Sequence, residues 1–158
     1  MQNVIGNNWE FHHVATVVKD MDAAVKYYES LGIFTFQPEF ALDATTYEEY
    51  EVYGKSVKSS KDKTRMRFAS IGANRIELVS PVQGNPLYLD FLKQKGEGIH
   101  HIAFYVDDLE GEIKKLKAKG IPMLTKVKRA PGRGFAYFDI RKQGGVILEI
   151  IQRPPKQA

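Results

Sequence analysis

One stretch of this chain occurs twice, at an unbroken offset of 88 positions. His12-His13-Val14-Ala15 opens a segment that runs through Asp20 to Gly32-Ile33, and His100-His101-Ile102-Ala103 opens its counterpart through Asp108 to Gly120-Ile121. The pairs His12/His100, His13/His101, Ala15/Ala103, Val18/Val106, Asp20/Asp108, Lys26/Lys114, Gly32/Gly120 and Ile33/Ile121 are identical, and most other apolar positions match in kind. Chance does not keep such a register without a gap. The duplication brings each histidine to a position related to that of its twin by pseudo-twofold symmetry.

Each half reads as β-α-β-β-β. In the first, Phe11 to Val18 is a strand, Asp20 caps a helix with Ala24, Val25, Tyr28 and Leu31 at helical spacing, and Gly32 ends it. The second repeats this with Ile99 to Val106, a cap at Asp107 or Asp108, a stripe of Leu109, Ile113 and Leu116, and Gly120 as the stop. Further strands are expected at Ile33 to Phe40, Arg65 to Ile71 and Arg75 to Ser80, then at Ile121 to Val127, Gly134 to Ile140 and Val146 to Gln152. Hairpin turns fall at Gly72-Ala73-Asn74 and Gln143-Gly144-Gly145, and Pro86 to Lys95 reads as a linking helix closed by Gly96. The expected organisation is one domain over 11–154, with module 1 at 11–81, the linker helix within 85–96 and module 2 at 98–154. The fold class is α+β.

The halves differ by one insertion, at about 41 to 64. There Tyr47, Tyr50 and Tyr53 fall three apart, so a helical turn would present them together, either packed on the domain or a dimer partner, or as a lid over a pocket. The stretch Lys55 to Lys63 that follows is rich in serine and lysine and is expected to be flexible.

With 158 residues the chain is long enough for an independent core. No apolar run is long enough for a membrane span and the first residues lack the pattern of a secretory signal, so a cytoplasmic location is expected. There is no cysteine, which excludes disulfides and thiolate metal sites and leaves nitrogen and oxygen to hold any ion. The net charge of +4 gathers at Lys55 to Arg67 and at Lys126 to Arg133. These runs are either solvated loops or anion contacts; no nucleic-acid-binding signature accompanies them.

The chemistry concentrates in two strand positions per half. Alternation puts His13, Ala15 and Val17 on one face of the opening strand and His101, Ala103 and Tyr105 on the same face of its twin, with His12 and His100 opposite, in packing or hydrogen-bonding roles. The closing strands contribute Glu77 and Glu149, each centred in an apolar run. A carboxylate so placed is costly to bury without a cation or several donors. A single strand histidine or glutamate is ordinarily structural. Two of each, matched by the repeat, fit a divalent first-row ion with positions left open for a bidentate substrate.

The chain resembles the vicinal oxygen chelate superfamily, which includes glyoxalase I, methylmalonyl-CoA epimerase, extradiol dioxygenases and the fosfomycin and bleomycin resistance proteins. The likeness runs from Phe11 to Pro154. It is carried by Lys95-Gly96-Glu97-Gly98-Ile99-His100-His101-Ile102-Ala103-Phe104, by Val106-Asp107-Asp108 and by Gly144-Gly145-Val146-Ile147-Leu148-Glu149-Ile150, and is nearest the epimerase branch. It implies two βαβββ modules forming a cupped mixed sheet, with a divalent metal (Co, Ni, Zn or Mn) on His13, Glu77, His101 and Glu149. It further implies a homodimer and an acyl-CoA substrate epimerised through a stabilised enolate, with Glu149 as the base by analogy. Some epimerases have a second glutamate on the preceding strand of the first half, where this chain has Arg65-Met66-Arg67-Phe68. Arg67 falls near that position; it is no ordinary base, but it can hold a carboxylate or phosphate in bidentate fashion. Lys126, Lys128 and Arg129 are candidate contacts for the CoA phosphates. The same ligand order fits a glyoxalase I acting on a glutathione hemithioacetal, and the fold would also serve a non-catalytic binding protein.

Overall fold

The computed structural model describes residues 8–130 and 132–155. In chain order the elements are β1 (Glu10–Val17), α1 (Met21–Ser30), β2 (Thr35–Phe36), β3 (Phe40–Asp43), β4 (Glu49–Val52), β5 (Lys55–Ser56), β6 (Lys63–Ile71) and β7 (Asn74–Gln83). They continue with α2 (Pro86–Lys95), β8 (Gly98–Val106), α3 (Leu109–Ala118), β9 (Met123–Arg129), β10 (Arg133–Asp139), the single-turn α4 (Arg141–Gly144) and β11 (Ile147–Gln152). The content is α+β, as the repeat implies. Among the described residues no helix is long and apolar enough to cross a membrane.

The repeat persists as geometry. Both ends of α1 recur in α3 at the same offset, and the two helices start in the same way: Asp20 accepts from the Ala23 N–H and Asp108 from the Gly111 N–H, each at 2.9 Å. Such caps satisfy one of the donors a helix start leaves open. Gly32 and Gly120, at φ +72° and +75°, take the left-handed position just beyond each helix.

The chain divides into two compact units. Among the described residues, one comprises His13–Thr45 and Ser59–His101; the other comprises those up to His12, Thr46–Lys58 and those from Ile102 on. In the His13 unit, β7 runs parallel to β1 and antiparallel to β6. Both β2 and β3 pair with β6. The single strand expected from Ile33 to Phe40 is therefore two short ones, and the break at Gln37–Glu39 contains Pro38, which has no N–H to give a ladder. Helix α1 covers one face of this sheet, where Val18, Met21, Val25, Phe36, Ala69 and Leu78 form the core.

In the Glu149 unit, β10 lies between β11 and β9, antiparallel to both. Helix α3 packs Leu109, Ile113 and Leu116 onto Ala136, Phe138, Leu148 and Ile150. Gly134 permits this approach, because a Cβ there would stand 2.8 Å from the Val127 carbonyl oxygen and 3.1 Å from a methyl of Leu109. The turn at Gln143-Gly144-Gly145 is wider than a hairpin turn: the one-turn α4 precedes Gly145, whose φ is +76°.

The insertion is corrected most. It forms no tyrosine-bearing helical turn, only a 3₁₀ turn at Ala44–Thr46 and then β4, which adds to the edge of β9 in antiparallel register. Tyr53 and Gly54, at φ +48° and +75°, make the tight turn from β4 into β5, with Val52 paired to Lys55. Positive φ at both central residues matches the twist of a two-residue hairpin. Residues 46–58, inserted in the first half of the sequence, thus belong to the unit built from the second.

Candidate metal centre

Registry alone sets the site's first contacts. Ala15 is the partner of Glu77 in the parallel β1–β7 ladder, and Phe68 is its partner across β6–β7. Directly opposed residues share a sheet face and alternate residues return to it, so His13, Ala15, Glu77 and Phe68 project from the same side. Leu78 and α1 occupy the other.

On that side His13, Glu77 and His101 converge, exposed by 2%, 2% and 0%. The Nε2 atom of His13 stands 3.1 Å from Oε2 of Glu77 and 3.1 Å from Nε2 of His101, and His101 Nε2 lies 3.6 Å from the same carboxylate oxygen. Burial works to raise the Glu77 carboxyl, but the imidazoles of His13 and His101 beside it prevail and hold it at about 2. Phe68 meets the His13 ring edge to face at 5.3 Å, and Phe40 stacks on Phe68. Carbon surface thus encloses one side of the donors.

These three donors fit a divalent ion. An ion about 2.1 Å from each ligand atom holds neighbouring donors roughly 3.0 Å apart in octahedral and roughly 3.4 Å apart in tetrahedral geometry. Two of the observed separations, 3.1 Å each, fall within that range and the third, 3.6 Å, lies just beyond it, and all three atoms come from buried side chains that share one carboxylate charge. Two imidazoles and a carboxylate without thiolate suit Zn, Mn, Co or Ni.

Glu149 lies in the other unit, in the middle of β11, opposite Tyr137 and 5% exposed. Its face of that sheet also carries Thr125, Val127, Arg129, Phe135 and Arg133 by register. Arg129 is therefore on the Glu149 face. Lys126 and Lys128 alternate with it onto the opposite face, and their charges are already engaged. Lys126 Nζ meets Glu110 at 2.6 Å and Glu49 at 3.4 Å, and Lys128 Nζ meets Glu49 at 3.2 Å. Burial opposes the Lys126 charge, yet Glu110 and Glu49 outweigh it and raise its pKa. Arg67 pairs in register with Leu78, on the α1 face of its sheet and away from Glu77. Its Nε donates to the Gln37 carbonyl at 3.1 Å, and its guanidinium lies over the Phe36 ring.

The residues around this donor set that sequence reasoning missed are Phe68, Tyr88 and Phe91. The latter two, from α2, meet the ring of His100 at 5.0 and 4.9 Å. His100 is buried and its Nδ1 lies 2.9 Å from Nδ1 of His101. The aromatic spacing of Tyr88 and Phe91 on one turn of the linker helix was the available signal.

Comparison with known proteins agrees with this architecture. The model of the Glyoxalase/Bleomycin resistance protein/Dioxygenase superfamily matches residues 12–137. The chain is 30% identical over 95 residues to the uncharacterized protein YqjC of Bacillus subtilis, covering 58% of this chain and 67% of that one. It is 26% identical over 158 residues to the mitochondrial methylmalonyl-CoA epimerase of Homo sapiens, covering 96% and 80% of the two chains. A variant of Streptomyces coelicolor methylmalonyl-CoA epimerase, solved in complex with 2-nitronate-propionyl-CoA, shares the fold with a TM-score of 0.63 at 20% identity, over 89% of this chain and 94% of that one. With four-fifths of its length matched and the duplicated unit intact, the chain belongs to the Glyoxalase/Bleomycin resistance protein/Dioxygenase superfamily.

Proposed function

We propose that this chain is a metal-dependent isomerase that epimerises a 2-substituted acyl-CoA such as methylmalonyl-CoA. The observation that carries the reading is the buried corner of His13, Glu77 and His101, three donors at ion-sharing distances with one negative charge among them. The relatives named methylmalonyl-CoA epimerase, one of them holding an acyl-CoA analogue, support the substrate class. The reading treats 11–154 as one functional domain.

A divalent ion on these residues supplies Lewis acidity, which lowers the cost of forming an enolate beside a thioester carbonyl. The chain's own groups do the rest. His13 and His101 offer ring nitrogens that stay fixed because they are buried and wedged against Phe68 and His100. Glu149 is assigned as further ligand and as the group that moves the C2 proton, because the repeat makes it the counterpart of Glu77. Of the basic residues, Arg129 remains the best contact for an anionic substrate, since Lys126 and Lys128 already neutralise Glu49 and Glu110. Arg67 is assigned to holding the Gln37 segment in place.

The test is exchange of the C2 proton of methylmalonyl-CoA in deuterated water, with metal-free protein and after addition of cobalt, nickel, zinc or manganese. Metal-dependent exchange that is lost in Glu149→Gln supports the reading. No exchange with any of the four metals removes it and moves the assignment to the glutathione hemithioacetal.

A further inference from the structure

We infer that Arg129 and Arg133 form a clamp for a diphosphate group, at the β9–β10 hairpin end of the sheet face that carries Glu149. That the diphosphate belongs to an acyl-CoA rests on the reading above. The clamp itself does not.

The two arginines are direct partners across the β9–β10 ladder, and both lie on the face of Tyr137, which stands opposite Glu149. Like charges opposed in this way cost stability unless something neutralises them. The other arginines of the chain are engaged. Arg65, Arg141 and Arg153 meet carboxylates, Arg67 donates to a carbonyl, and Arg75 lies over the Phe68 ring. Among the described residues, neither Arg129 nor Arg133 has an ion pair or a side-chain hydrogen bond. The uncompensated guanidiniums are thus a cross-strand pair on the face of a candidate catalytic carboxylate, with Arg129 half-buried and Arg133 exposed.

The spacing along this face fits what a CoA ester presents. Glu149 and Tyr137 form one row of the ladder, Ile151, Phe135 and Val127 the next, and Arg133 with Arg129 the row beyond. The four-residue step from Tyr137 to Arg133, at about 3.3 Å per residue, and one or two strand spacings of about 4.8 Å put the arginine Cα atoms roughly 14 and 16 Å from that of Glu149. Phe135 and Ile151 are half-buried and give the intervening row an apolar surface. In a CoA thioester about 13 bonds separate the sulfur from the first phosphorus, and an extended chain of that many bonds spans roughly 15 Å. With the reacting carbon at Glu149, the arm lies over the apolar row and the diphosphate arrives at the arginines. Each guanidinium can take one phosphate in bidentate fashion, which an ammonium cannot.

The test is calorimetric titration of wild type, Arg129→Gln and Arg133→Gln with propionyl-CoA, propionyl-dephospho-CoA and propionyl-pantetheine, in the presence of each of the four metals. Inorganic pyrophosphate, titrated into metal-free protein, probes the clamp without a thioester. Wild type should bind both CoA esters at least about 10-fold more tightly than propionyl-pantetheine. Either substitution should remove about 10-fold of that gain, the scale of a hydrogen bond to a charged group, and leave propionyl-pantetheine unchanged. Urea midpoints of the ligand-free variants should match or exceed that of the wild type, because each substitution relieves the opposed charges. CoA esters bound as tightly by both variants as by the wild type overturn the clamp while the acyl-CoA reading stands. A dephospho-CoA ester bound no better than the pantetheine ester moves the arginines to the 3′-phosphate and overturns the diphosphate assignment. If the wild type binds pyrophosphate through both arginines but none of the thioesters, the acyl-CoA reading fails and the clamp stands; binding of neither kind removes both.

Discussion

Adding a divalent ion to metal-free protein should raise its thermal stability, and the size of the rise follows from the donor geometry. The three ligand atoms already lie 3.1 to 3.6 Å apart, so binding needs little rearrangement and favours the folded chain alone. At a free metal concentration 100 times the dissociation constant, that linkage stabilises the fold by about 2.7 kcal/mol. Unfolding entropy of roughly 2.1 cal/mol/K per residue gives about 330 cal/mol/K for the 158 residues, hence a rise of about 8 °C in the midpoint. The perturbation is His13→Phe, because His13 Nε2 is the vertex in contact with both other donors, and phenylalanine keeps a ring against Phe68. Losing a direct ligand should cost at least the roughly 100-fold that changes behind a ligand can reach, which leaves a rise of only about 1 °C at the same metal concentration. Lys128→Gln, on the opposite face of the other unit's sheet, should keep the full rise. Differential scanning calorimetry with cobalt, nickel, zinc and manganese, each reversed by a chelator, reads all three proteins. An equal rise in the wild type and in His13→Phe, or none in the wild type with any of the metals, refutes the reasoning.

Acid should act on the same corner. A carboxyl whose folded pKa is depressed adds stability that is complete above its ordinary 4.5 and fades as pH falls toward about 2, so the stability of metal-free wild type relative to Glu77→Gln should shrink over that window in urea titrations. A difference that does not change with pH would contradict the pairing with His13 and His101. Phe138, fully buried under α3, should cost about 3 to 5 kcal/mol on replacement by alanine, and a urea-derived loss below about 1.5 kcal/mol would mean that α3 does not pack where the structure has it. Replacing Arg129 by glutamine should raise the apparent KM for an acyl-CoA, while the same change at Lys126 or Lys128 should leave KM unchanged and shift stability by about 1 kcal/mol or less. The reverse pattern in steady-state kinetics would assign the phosphates to the α3 side.

What the sequence made legible is what repeats. The β-α start of each half, with Asp20 and Asp108 as caps and Gly32 and Gly120 as stops, was readable because each signal appeared twice and depends only on neighbours along the chain. Strand alternation put His13 and His101 on equivalent faces of their strands before any partner was known, and the structure brings both to Glu77. The insertion has no twin, and two local patterns competed in it: tyrosines spaced by three, and the alternation Glu49-Tyr50-Glu51-Val52 ahead of Tyr53-Gly54. The alternation prevailed for a reason that lies 75 to 79 residues downstream. Glu49 and Glu51 stand opposite Lys128 and Lys126 on β9, so an edge strand finds hydrogen bonds and charge complement together, which an isolated turn of helix would lack. The same pairing removes Lys126 and Lys128 from the pool of free cations that the sequence had offered for phosphate binding. A basic cluster read without its acidic complement overstates what is left for a ligand, and only register can say which of its members, here Arg129, faces Glu149.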